Sequence, residues 1–86
     1  MKDEEIIGKV YRHFKGNYYY IDSIAFDSET QEKMIVYKPL YKDSSCWVRP
    51  YNMFFEEIDV NKKGNITGQK YRFELVEEIS RNYIKE

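Results

Sequence analysis

Over the first two-thirds of the chain, apolar and polar positions alternate in short stretches, the period of two that a β-strand requires. Residues 8–14 form the first stretch, closed by Lys15-Gly16-Asn17, a tight-turn sequence in which glycine supplies positive φ. Residues 17–27 follow as a longer strand with imperfect alternation. Tyr19, Ile21 and Ala25 fall on one face and Tyr18, Tyr20, Asp22 and Ile24 on the other, and the first set is expected to be buried. Ser28-Glu29-Thr30-Gln31 makes a polar turn, and residues 33–41 read as a third strand rich in β-branched and aromatic side chains. Pro39 cannot donate a ladder hydrogen bond, so it marks an edge position, a bulge or the last third of that strand.

Lys42-Asp43-Ser44-Ser45 reads as a turn, residues 46–49 as a short fourth strand ended by Pro50, and residues 51–54 as a single helical turn. Residues 55–60 are expected to form the fifth strand, before the turn Asn61-Lys62-Lys63-Gly64-Asn65. The pattern then changes. Between residues 72 and 84, Phe73, Val76, Ile79 and Tyr83 recur at the helical period, with Glu74, Glu77 and Glu78 early and Arg81 and Lys85 late, as the helix dipole favours. These elements predict a mainly β fold, a small SH3-like β-barrel of about five strands with a C-terminal α-helix; an OB-type barrel is the next choice. A lead-in over residues 1–7, a barrel over 8–70 and a helix over 71–86 describe the expected organisation. If the helix packs on its own barrel the chain is a monomer; if not, its apolar stripe predicts a homodimer.

Composition narrows the picture. A chain of 86 residues makes one small domain, and such domains bury only about 60% of the surface of the unfolded chain. Nine Tyr, five Phe and one Trp supply large buried areas for so short a chain. The net charge of −1, with seven Lys or Arg against five Asp or Glu between Ile6 and Met53, does not point to nucleic acid. One cysteine allows no intramolecular disulfide, and neither a signal peptide nor a membrane-length apolar run is present, so a cytoplasmic protein is expected.

An ordered series of signatures runs through the chain: Tyr11-Arg12-His13-Phe14-Lys15-Gly16-Asn17, then Ser28-Glu29-Thr30, Val36-Tyr37, Leu40-Tyr41, Asp43, Trp47-Val48-Arg49-Pro50 and Met53-Phe54. It resembles a family of short bacterial domains of unknown function, over roughly residues 8–73. The resemblance implies an SH3-like barrel and brings no established activity. The chain departs from the family pattern at Asp27, where relatives often carry His, at Lys42 in place of Gly, and at Tyr71 in place of a Pro before Arg72-Phe73.

The richest stretch chemically is residues 37–54, which hold the single Trp and both prolines. Trp47 and Arg49 share one face of their strand, and Tyr37, Pro39 and Tyr41 share one face of the strand before it. Paired, they would offer an aromatic and Arg surface, Tyr37, Tyr41, Trp47 and Arg49, with Arg12 and His13 at its edge. The plainer alternative makes Trp47 a core anchor with Arg49 capping it. Lys9, Arg12, His13 and Lys15 form a small cationic run that reads first as a solvated face. Asp43 is expected to hold turn amides or Arg49. His13 and Cys46 are the only residues that could form a Cys–His nucleophile pair, and nothing in the sequence joins them; Cys46 reads as an inert side chain. The adjacent acids Glu56-Glu57 and Glu77-Glu78 point to opposite faces of a strand and suit no paired acid–base chemistry. One His and one Cys fall short of a zinc site. The leading expectation is therefore a non-enzymatic binding module for a protein segment, without cofactor or metal. Single-stranded nucleic-acid binding by aromatic stacking is the first alternative. A small-ligand sensor or enzyme accessory domain, with a concave apolar pocket, is the second.

Overall fold

The computed structural model describes residues 3–40 and 46–82. After a short 3₁₀ turn at Asp3–Glu5 come β1 (Val10–His13), β2 (Tyr18–Phe26), β3 (Lys33–Pro39), β4 (Trp47–Pro50), α1 (Tyr51–Phe54), β5 (Phe73–Leu75) and α2 (Glu77–Asn82). The strands form one antiparallel sheet in the order β4-β3-β2-β1-β5. None of the described helices is long and apolar enough to cross a membrane. The expected turn at residues 42–45 and the end of the expected third strand at Tyr41 lie outside the described residues.

The turn chemistry sets the hairpins. Gly16 takes a φ of 106° in the β1–β2 turn, where a left-handed residue is required. Between β2 and β3, Asp27 accepts the backbone N–H groups of Glu29 at 2.8 Å and Thr30 at 2.9 Å, and these bonds hold its carboxyl below its usual range. Pro39 closes β3 opposite Tyr19, in the last third of the strand where its missing donor is tolerated.

The irregular pattern of β2 has a structural cause. Ile21 pairs with Tyr37 and Ser23 with Val36, so one extra residue sits on β2 at this point, a β-bulge. It reverses the side-chain alternation downstream. Tyr19 and Ile21 are buried as expected, but Ile24 then packs on the core and Ala25, expected inside, is exposed.

Two elements differ from expectation. Residues 55–60 do not form a strand; Glu57 makes an isolated bridge to Tyr71, flanked by Ile58 N–H donating to the Lys70 carbonyl and Arg72 N–H to the Glu56 carbonyl. The fifth strand is Phe73–Leu75, paired with β1, and the helix begins only at Glu77. Sheet pairing wins at Phe73 because β1 would otherwise expose its second edge, and because the strand buries the Phe73 ring to 2% exposure. α2 then lies on β1, with the Ser80 hydroxyl accepting from Val10 N–H at 2.7 Å.

The sheet is strongly curled. In a flat sheet β4 and β5 would stand roughly 19 Å apart, four strand spacings. Yet the Arg49 guanidinium of β4 lies 5.7 Å from the Phe73 ring centroid of β5. No ladder joins these two edge strands, so the sheet is open and the SH3-like barrel is an approximate description. The concave side holds the core: Ile6, Tyr11, Tyr19, Ile21, Ile35, Tyr37, Phe54 and Phe73.

Candidate binding surface

At one end of the concave side, the register places Tyr37 directly opposite Trp47 and Ile35 opposite Arg49. The curl then brings in His13 from β1, Tyr19 from β2 and Phe73 from β5. Trp47 stands edge-on to Tyr37 at 6.2 Å and tilted to Tyr19 at 6.4 Å. Phe73 meets Tyr19 at 5.6 Å, Tyr37 at 5.7 Å and His13 at 4.9 Å, each near perpendicular. Edge-to-face contacts of this kind satisfy the ring quadrupoles and fix ring orientations.

The six residues expected to bind occupy different environments. Trp47 is 41% exposed, with one part against the core aromatics and the rest at the surface. Arg49 is half-buried; its Nε donates to the Tyr37 hydroxyl at 3.3 Å. Tyr37 itself is only 2% exposed, so its ring belongs to the core and not to a contact surface, because the curled sheet folds Phe54 and Phe73 over it. His13 is half-buried beside Phe14 and Phe73. Arg12 sits on the opposite side of β1, as strand alternation requires, and donates to Gln69 Oε1 at 3.1 Å. Tyr41 lies outside the described residues, as does Asp43. Cys46 is exposed just before β4 rather than packed in the core. Among the described residues no group of three or more His, Cys, Asp or Glu is placed to hold a metal ion.

Electrostatics single out His13. Burial drives its pKa down to about 4, helped by the positive charges of Arg72, Arg49 and Lys15. Its Nδ1 accepts the Lys15 N–H at 3.0 Å, which leaves the proton of the neutral ring on Nε2. Of the three cations, Arg72 is paired with Glu56. Arg49 has no carboxylate partner among the described residues; its charge faces the Phe73 ring. The surface thus combines a half-exposed indole, an Arg held by a phenol and a ring face, and a neutral imidazole.

Periodicity alone puts Phe73 and Arg72 in the tail helix, away from this surface. The signal that could have joined them to it is the resemblance itself, which extends through Arg72-Phe73.

Comparison with known proteins agrees with the fold and identifies the family. A family model described as "Protein of unknown function (DUF1653)" matches residues 9–75. The crystal structure of a protein of the same family from Bordetella bronchiseptica is similar at 28% identity and a TM-score of 0.67, over 87% of this chain and 92% of that one. No curated protein matches the chain. With its β1 to β5 sheet wholly inside the matched segment, the chain belongs to the DUF1653 family of proteins of unknown function.

Proposed function

We propose that the domain is a non-enzymatic binding module that takes a short protein segment carrying a carboxylate against Trp47 and Arg49. The observation that supports this is Arg49: its guanidinium is fixed by the Tyr37 hydroxyl and the Phe73 face, has no carboxylate partner among the described residues, and stands beside a half-exposed Trp. A preorganised Arg of this kind offers its remaining N–H groups to a planar carboxylate with little loss of rotamer freedom. The indole provides the apolar contact that anchors such interfaces. His13, neutral above its low pKa, adds a hydrogen-bond donor rather than a charge. A cytoplasmic setting goes with this reading, since the exposed thiol of Cys46 finds no disulfide partner in the chain.

Trp47 emission is a direct probe, as no other Trp is present. Peptides containing Pro and Glu, and the same peptides with Gln for Glu, are titrated into the full chain. The Glu peptide is expected to shift the emission, the Gln peptide to act weakly, and Arg49→Ala to lose the response. No response to either peptide would overturn the reading. A salt-sensitive response to single-stranded RNA alone would replace it with nucleic-acid binding.

A further inference from the structure

A cavity of about 420 Å³ lies apart from the Trp47 side chain and is lined by Tyr11, Phe55, Tyr71, Phe73, Glu74 and Leu75, between β5, its neighbour β1 and the segment that leaves α1. Its size falls in the range of small-ligand sites. Four of these residues are aromatic and one is aliphatic, and among the described residues no Lys, Arg or His lines the wall. Among the described lining residues the group that is charged at neutral pH is the Glu74 carboxylate. Burial, with Tyr51 nearby, pushes the Tyr11 hydroxyl up to about 12, so it stays neutral.

Glu74 is held in place. Its Oε2 accepts the backbone N–H of Lys70 at 2.9 Å and of Tyr71 at 3.1 Å, which fixes the carboxylate at the cavity wall. Ring faces carry the negative end of the aromatic quadrupole and attract cations. Two of these rings already do so within the protein: Lys70 Nζ lies 5.7 Å from the Tyr71 centroid and the Arg49 guanidinium 5.7 Å from that of Phe73.

We propose that this cavity is a binding site for a small ligand with an apolar body and an ammonium group, the ammonium held by Glu74 and the rings and the body packed on Phe55 and Leu75. Charge complementarity selects the ligand class. An anion meets the negative charge of Glu74 there, and a neutral ligand gains only the apolar contact. The site is separate from the peptide surface at Trp47 and does not rest on that reading, and Phe73 borders both.

Three ligands with one body and different charge test this: 2-phenylethylammonium, 2-phenylethanol and 3-phenylpropanoate, titrated into the full chain and followed by amide and aromatic NMR shifts. The ammonium compound is expected to bind about tenfold or more tighter than the carboxylate, with shifts centred on Phe55, Tyr71 and Leu75. Glu74→Gln is expected to narrow the gap between the ammonium and the alcohol. Because Glu74 also holds two backbone amides, Leu75→Trp serves as a second variant; it fills the cavity from an exposed position and is expected to block all three ligands with unfolding unchanged. Equal binding of the three, a preference for the carboxylate, or shifts centred on Trp47 would overturn the proposal.

Discussion

Phe54 and Phe73 lie face to face, their ring centroids 3.9 Å apart and their planes inclined by 3°. One ring ends α1 and the other begins β5, so the stack ties together the two ends of the long segment between them. Around it the neighbouring aromatic contacts are mostly edge-on: Tyr11 and Tyr37 against Phe54, and Tyr19, Tyr37 and His13 against Phe73. The Phe73 ring also bears the Arg49 guanidinium and borders the cavity beside Glu74. Core packing and both proposed sites therefore meet at one side chain.

Phe73→Ala is expected to cost about 3–5 kcal/mol, and Phe54→Ala a similar amount, since each removes a buried ring and leaves a cavity. Against a total stability of about 5–15 kcal/mol, either change brings the domain near its unfolding threshold. The double variant is expected to be less destabilised than the sum by about 0.5–1.5 kcal/mol, the coupling of a stacked pair. Urea unfolding of the four proteins measures this. Strict additivity would show that the stack contributes burial alone.

The bulge between Ile21 and Ser23 predicts a contrast between two neighbours on β2. Ala25→Lys, at an exposed position beyond the bulge, is expected to change stability by less than about 0.5 kcal/mol. Ile24→Lys, which would place an ammonium against the core, is expected to cost more than about 2 kcal/mol. If Ala25→Lys proves the more costly, the alternation runs unbroken through β2 and there is no bulge.

These two residues also show what the sequence could reveal. Short-range signals carried the hairpins: Lys15-Gly16-Asn17 and Ser28-Glu29-Thr30-Gln31 need only local backbone chemistry, and Pro39 announces the end of a strand. The bulge was visible only as an imperfection, because its position depends on which residue of β3 lies opposite. Phe73 is hard to place from sequence for a related reason. Phe73, Val76 and Ile79 satisfy a helical period, and nothing local reveals that β1 has an edge waiting for a partner. The arrangement of the proposed surface is half legible. Strand alternation put Trp47 and Arg49 on one face and Tyr37 opposite, but burial of Tyr37 follows from the curl of the sheet, a property of the whole fold.

Gln69 is buried to 3% exposure, with every side-chain polar group engaged: Nε2 donates to the carbonyls of Arg12 at 2.9 Å and Tyr71 at 3.1 Å, and Oε1 accepts from Arg12 Nε. It pins the irregular segment before β5 to β1. Gln69→Leu keeps much of the volume and orphans two carbonyls, and is expected to cost about 2–4 kcal/mol. Arg12→Lys keeps the charge but not the Nε geometry, and is expected to cost less than about 1 kcal/mol. Thermal unfolding compares the two; equal losses would place the weight on the Arg12 contact rather than on the carbonyls.

His13 makes stability depend on pH in a defined direction. Its pKa is about 4 in the folded chain and returns to the ordinary value of 6.5 on unfolding. Between these values the unfolded chain binds a proton that the folded chain refuses, so stability rises with pH. Its contribution is complete above pH 6.5 and is lost as pH falls towards 4. The cause is the ring's burial among Phe14, Tyr19 and Phe73, then the charges of Arg72, Arg49 and Lys15, all of which oppose an imidazolium. The wild-type chain is expected to lose stability steadily from pH 7 to pH 5, above the range in which ordinary carboxylates titrate. His13→Gln, which cannot ionise, is expected to be nearly flat over that window whatever its absolute stability. The ring protons of His13, followed by NMR, are expected to titrate with a midpoint near 4. A midpoint near 6.5, with equal pH slopes for the two proteins, would mean that water reaches the ring and the cations do not.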